Sequence, residues 1–249
     1  MTAVSEPSVG FSRLLTTATS TDEQRRGAQM AILPIGSFEQ HGSHLPLMTD
    51  TIVACAIAKA VADEYDLFLL PPLTISCSHE HAAFAGTVSI RASTLYTVVN
   101  DIADSLDRAG IHALALVNGH GGNYVLSNVV QEANERGRRM ILFPRREDWD
   151  TARREAGMVT TAHEDMHGGE LETSLLLHLD ERLIGSAYAY ADHDAASRPD
   201  LLSLGMAGYT TTGIIGRPSL ANSAKGAALL SCLSNSFAEA TRVLGNSIR

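Results

Sequence analysis

The chain is short of cysteine, aromatic residues and basic charge, and each shortage closes off a class of protein. Its 249 residues include only three cysteines, Cys55, Cys77 and Cys232, which lie far apart and form no CxxC pair. An odd, scattered set argues against a disulfide framework and for a reducing compartment. Aromatics make up 5%, with Trp149 the single tryptophan. Lys and Arg number 19 against 28 Asp and Glu, a net charge of −9. Such a chain lacks the basic footprint that nucleic acid requires. No uninterrupted apolar run reaches the roughly 18 residues of a membrane span. Residues 1–12 have neither the basic n-region nor the apolar core of a signal peptide. A soluble, cytoplasmic protein without nucleic-acid or membrane partners is the expectation. Walker lysine and GxGxxG patterns are also missing, which removes the commonest nucleotide signatures, and His79-Glu80-His81 does not have the spacing of the HExxH zincin helix.

What is present is a full core and a regular alternation. Apolar residues are 45% of the chain and charged ones 19%, enough for one large domain. Short apolar runs at 30–34, 67–70, 111–117 and 140–143 predict strands. Helical spacing predicts helices over 52–65, 93–109, 124–136, 175–179 and 221–243. A further short strand is expected at 87–91, a solvated helix or loop at 145–155, and a short helix over Phe11, Leu14 and Leu15. Residues 1–27 read as a polar lead-in and 28–249 as a single domain. Alternating strands and helices imply an α/β fold, three layers α/β/α with a mostly parallel sheet.

The histidines and carboxylates gather in loops that follow the strands, where open α/β sheets bind ligands. The stretch 34–51 carries Glu39, His41, His44 and Asp50. Glu39 and His41 are two apart and share a side of an extended segment. Asp50 lies at the mouth of the next helix, and bends at Gly42 and Pro46 can bring it back over the pair. Mixed carboxylate and imidazole donors suit zinc, manganese or iron(II) better than calcium or magnesium. The plainer alternative is a helix-capping Asp50 and a surface His41. Asn118-Gly119-His120-Gly121-Gly122-Asn123 puts His120 at a strand end, among glycines that permit close backbone approach. Such a turn can also cradle phosphate or simply hold a satisfied histidine. In the stretch 167–174, Glu170 and Glu172 are two apart, so one of them faces the site. Glu172 is placed to reach a metal or a water, while Glu170 is equally explained by a helix start favouring acids. His79-Glu80-His81 can line a substrate pocket or bridge subunits. His112, His178 and His193 read as ordinary core or surface residues.

Taken together, residues 36–51, 118–123 and 167–174 resemble the creatininase (creatinine amidohydrolase) family. Glu80-His81, Phe84, Gly86-Thr87, Gly213, Gly216, Pro218 and Lys225-Gly226 extend the resemblance over about 28–245. It implies a three-layer α/β/α fold assembled as a homohexamer, with one or two divalent metals per subunit. The implied reaction is hydrolysis of an amide C–N bond by a metal-activated water, in a cyclic amide, a formamide or a small peptide-like substrate. By motif, Glu39, His41, Asp50 and His120 correspond to metal ligands, with Asp50 bridging, and His167 to the catalytic histidine. Ser78, Glu80, His81 and Gly121 are expected at the substrate. One position departs from the family pattern. Creatininase has a metal-binding glutamate two residues after the metal-binding histidine, and here that position is Gly122. Glu172 is the candidate replacement, as ligand or as base. The single tryptophan, well before the His167 motif, argues against creatinine as substrate. The Gly-Gly variant also resembles the peptidase of mycofactocin maturation and the formamidopyrimidine deformylases. The competing reading is a non-catalytic ligand-binding or scaffold protein on the same fold, which would need broken ligands, and the first four are intact.

Overall fold

Every residue of β1 (Met30–Ile35) is buried, because helices cover both faces of the sheet in this computed structural model, which describes residues 14–244. Side chains alternate across a strand, so β1 feeds two cores. Met30 and Ile32 pack into one, while Ala31, Leu33 and Ile35 pack into the other. Beside β1 lie β2 (Phe68–Leu69) and β3 (Ala113–Asn118), and β4 (Arg139–Phe143) lies outside β3. All pairings are parallel and the strand order is β2-β1-β3-β4. After α1 (Ser20–Arg26), the helices α2 (Thr49–Tyr65), α3 (Ala92–Arg108), α4 (Val125–Glu135), α5 (Arg146–Glu155) and α6 (Glu170–Asp180) follow, then α7 (Leu201–Leu204) and α8 (Ser223–Val243). Residues of α2, α5, α6 and α8 cover one face of the sheet; residues of α3 and α4 cover the other. The three-layer α/β/α arrangement with a parallel sheet is therefore present. No helix among the described residues is long and apolar enough to cross a membrane.

Several local expectations change. β2 has two residues rather than four, since Pro71 and Pro72 follow it closely. The expected strand at 87–91 does not form. Its N–H groups are divided between two partners, Val88 donating to Phe38 O and Ile90 to Ser76 O. The 145–155 segment is the helix α5, and it is not solvated throughout, because Ala152 and Arg153 are buried. The helix sketched over Phe11 falls largely outside the described residues; within them the lead-in forms α1, capped by Thr19. Two helix starts move in a way that matters for the site. Thr49 N–H and Oγ1–H both donate to Pro46 O, so α2 begins early and Asp50 stands in its first turn. The helix expected from 175 begins at Glu170.

The placement of α6 rests on polar contacts of buried groups. Glu170 accepts hydrogen bonds from Val159 N–H, Thr160 N–H and Thr160 Oγ1–H, and it pairs with Lys225 of α8. Asp165 accepts from the N–H groups of Glu170 and Leu171, two of the donors left open at a helix start, and it pairs with Arg153 at 2.9 Å. Close contact of α6 and α8 requires Gly226. A Cβ there would stand 2.0 Å from Ser174 O and 2.8 Å from His178 Cβ. Gly226→Ala should thus destabilise the fold toward the upper end of the ~1–3 kcal/mol overpacking range, well beyond the ~1 kcal/mol that alanine returns as a helix former. Urea unfolding measures this directly. An unchanged midpoint would show that the two helices part freely.

Candidate metal centre

Strand order reverses between β1 and β3, because the chain adds β2 on one side of β1 and β3 on the other. Ligands of open α/β sheets sit at that switch point, beyond the carboxyl ends of the strands. Ile35 and Asn118 are in register, so the two strands end level and their loops meet. The start of α2 is wedged between those loops, and two glycines admit it. A Cβ on Gly36 would lie 2.3 Å from Thr51 Cα, and one on Gly119 2.3 Å from Asp50 O.

Glu39, His41, Asp50, His120 and His167 converge there, each no more than 5% exposed. Asp50 lies between two histidines, with Oδ1 3.1 Å from His41 Nε2 and Oδ2 3.2 Å from His120 Nδ1. Glu39 Oε1 is 3.2 Å from His120 Nδ1, 3.2 Å from His81 Nε2 and 3.7 Å from His167 Nδ1. Glu172, from the first turn of α6, brings Oε1 to 3.8 Å from His41 Nε2, while its Oε2 accepts the Gly168 N–H at 2.6 Å.

The second ring nitrogens set the tautomers, because a carbonyl oxygen can only accept. His41 Nδ1 donates to Glu39 O, His120 Nε2 to Cys77 O and His167 Nε2 to Gln40 O. Each of these rings, when neutral, turns a lone pair toward the carboxylates. His81 is the opposite case. Gly42 N–H donates to Gln40 Oε1 and Gln40 Nε2 donates to Gly213 O, so the same Nε2 donates to His81 Nδ1. His81 therefore carries its proton on Nε2, facing Glu39.

This arrangement asks for a cation. Both oxygens of Glu39 are buried without a hydrogen-bond partner, a costly state for an isolated carboxylate. Lone pairs of His41 and His120 face carboxylate oxygens at about hydrogen-bond distance, which is repulsive unless a proton or a metal lies between. In the ion-free chain, protons take that place. Burial opposes charge on His41, but Asp50, Glu172 and Glu39 outweigh it and raise its pKa to about 9. His120 is likewise driven well above the ordinary range by Glu39 and Asp50 against its burial. Burial pushes Glu172 up to about 7, with Asp50 adding to the rise and His41 opposing it. Burial, with His41 and His81 beside it, holds His167 well below the usual histidine range and so neutral. His81 is lowered to about 4, chiefly by burial. Two donor groups of metal-binding size share Asp50: Glu39–Asp50–His120 and His41–Asp50–Glu172. A third, Glu39–His41–His167, overlaps both.

The match extends through most of the chain. The family model for creatinine amidohydrolase (creatininase) covers residues 15–241. The chain belongs to the creatininase family. It is 32% identical over 238 residues to the mycofactocin precursor peptide peptidase of Mycolicibacterium smegmatis, covering 89% of this chain and 88% of that one. It is 28% identical over 237 residues to the creatinine amidohydrolase of Pseudomonas putida, covering 87% and 90%. Among solved structures, a manganese creatininase superposes with a TM-score of 0.77 at 26% identity, over 91% of this chain and 96% of that one. The chain is thus a creatininase-family hydrolase acting on carbon–nitrogen amide bonds.

The other residues singled out from the creatininase motifs divide. Glu80, His81 and Gly121 line a cavity of about 590 Å³ together with Asp50, His120, His167 and Glu172. Ser78 is fully buried, outside that lining, with an unpartnered Oγ. His44 also turns away, its Nε2 donating to Gly168 O. Glu170 is structural, as described above. Gly122 cannot simply be restored to glutamate, since a Cβ there would stand 2.2 Å from Glu80 Oε1 and 2.4 Å from His120 Nε2. Glu80 has filled the space beside Gly122. Gln40, which sequence reading passed over, orients His81 with its side chain and His167 with its carbonyl. The signal for it is its place between Glu39 and His41, since in an extended segment its side chain leaves on the side opposite theirs. Residues 196–199 and Leu201 close the cavity from a stretch with no motif and no periodicity.

Proposed function

We propose that this protein is a binuclear metal-dependent amidohydrolase that cleaves an amide bond in a short peptide or peptide-like substrate. The observation that carries this reading is the pair of donor groups joined through Asp50, buried except for the half-buried Glu172. Imidazole and carboxylate donors suit zinc first, and manganese or iron(II) as well. Glu39, Asp50 and His120 would hold one ion, and His41, Asp50 and Glu172 the other, with Glu172 serving where the family glutamate is absent. Bound there, the ions supply Lewis acidity to a substrate carbonyl and lower the pKa of a water.

The chain's own residues handle the proton. Neutral His167, fixed by Nε2–H to Gln40 O, presents Nδ1 to the site and is the acceptor for the attacking water's proton. It then returns that proton to the leaving nitrogen. Hydrolysis takes a proton from the water before it gives one to the leaving nitrogen, so His167 acts as base before it acts as acid. His81, with its proton on Nε2, is a fixed donor on the same wall.

A peptide-like substrate is favoured by space. A second cavity of about 350 Å³ shares Gly119, His120, Gly121, Met166 and Glu172 with the first and continues past Trp149. The centre therefore lies between two openings, room for chain on both sides of a scissile bond. The peptidase name of the 32%-identical relative supports the same reading. The test strips the protein with chelator, reloads it with zinc or manganese and measures ions per chain by plasma mass spectrometry. The loaded protein is then offered creatinine and a short-peptide library. We expect about two ions in the wild type and about one in Glu172→Ala, with peptide cleavage and no creatinine turnover. Failure to bind any ion, or turnover of creatinine alone, would overturn the proposal.

A further inference from the structure

The metal-facing wall of the larger cavity is acidic and accounts for the chemistry; its outer wall carries a charge the chemistry does not use. Arg198 is the one arginine or lysine among the described residues that line that cavity. It is half-buried, and no carboxylate among the described residues pairs with it. Three nearby acids are engaged elsewhere. Asp194 pairs with Arg217, Asp192 accepts from Ser219, and Glu164 accepts from Thr161. Backbone groups hold the guanidinium in place instead. Nη1 donates to Ala195 O, and Nη2 donates to His163 O at 2.8 Å. His163 Nε2 donates to Ala196 O, which leaves His163 Nδ1 to accept from Arg198 Nη2 at 3.4 Å. Among the described residues, the Nε–H of Arg198 and a second N–H on Nη1 have no acceptor. Burial pulls the Arg198 pKa down from its ordinary value, as expected for a cation that lacks its anion, and a guanidinium does not lose its proton in water.

A positioned, unpaired guanidinium over a catalytic cavity matches a planar anion. We propose that Arg198 is a specificity residue that binds a carboxylate of the substrate while the scissile amide lies at the metal centre. The proposal rests on the peptide-amide reading above and names the charge that substrate carries. Its carboxylate is either the terminal one of the peptide or an acidic side chain.

The probes are N-acetylated tetrapeptides of mixed sequence in three forms: C-terminal acids, C-terminal amides, and C-terminal amides with one internal glutamate. Zinc-loaded wild type, Arg198→Gln and Arg198→Lys are compared. Mass spectrometry reads both cleavage and retention of each peptide on the protein during ultrafiltration. One anionic form should be retained and cleaved ~10- to 100-fold better than the neutral amides by the wild type, the range expected of a charge-assisted contact. Arg198→Gln should remove that preference through KM, with kcat within about twofold, and Arg198→Lys should recover part of it. Which anionic form wins identifies the source of the carboxylate. A wild type without anionic preference, or a preference that survives in Arg198→Gln, overturns the assignment. Cleavage without such a preference leaves the hydrolase reading standing and removes this one. Arg198-dependent retention without cleavage does the reverse, and the absence of both overturns both.

Discussion

Asp50→Asn should lose both bound ions and reduce kcat/KM by on the order of 10³-fold or more, equivalent to ~4 kcal/mol of transition-state stabilisation. Its two oxygens are divided, Oδ1 toward His41 and Oδ2 toward His120, so each of the proposed donor groups depends on it. Asparagine keeps one oxygen and turns an NH₂ toward the other histidine, where it cannot ligate. It also removes the charge that draws both ions together. The fold should persist, because Asp50 is held locally by Ser37 Oγ–H at 2.6 Å and by the first turn of α2. Metal content per chain and peptide turnover are the measurements. Retention of two ions would show that Asp50 is not shared.

His167→Ala should behave differently, keeping its metal and losing turnover by ~10²- to 10⁴-fold, the usual worth of a general acid–base group. Neither of the two groups joined through Asp50 includes His167, although its ring stacks within 4.2 Å of His41 and 4.3 Å of His81. KM should change little if the ring moves protons rather than binds substrate. His167→Asn guards against a packing fault, since it fills more of the space and still cannot relay a proton. Loss of an ion in either variant would instead assign the metal to the Glu39–His41–His167 group. Full activity would remove the proton-transfer role.

Much of the site was readable before any coordinates. Glu39 and His41 share a side because extended residues two apart must, and His120 follows β3 because a parallel sheet gathers its ligands at strand ends. Those relations depend on neighbouring residues and on a periodicity the chain states openly. That Asp50 joins these residues was legible, but not where its helix begins. It stands in the first turn of a helix that begins at Thr49, three residues before the start expected at Ile52. The strand sketched at 87–91 failed for a comparable reason, since its apolar pattern could not reveal that Phe38 and Ser76 would each take one of its N–H groups.

The amino-acid sequence by itself determined the kind of protein this is: a parallel α/β domain of the creatininase family, with carboxylates and histidines at the ends of β1 and β3. Local spacing and the alternation of apolar runs carry that much. The tertiary structure supplied the reason that Glu172, the candidate from sequence, enters the site and Glu170 does not. Glu172 does so because Glu170 is drawn to Lys225 and the 159–160 backbone, a choice made by the packing of α6 on α8. It also decided the proton on each imidazole, since the carbonyls that accept from His120 and His167 lie 43 and 127 residues away. Arg198 reaches the cavity through no local pattern at all. A side chain's direction depends on what surrounds it, and those surroundings come from distant parts of the chain.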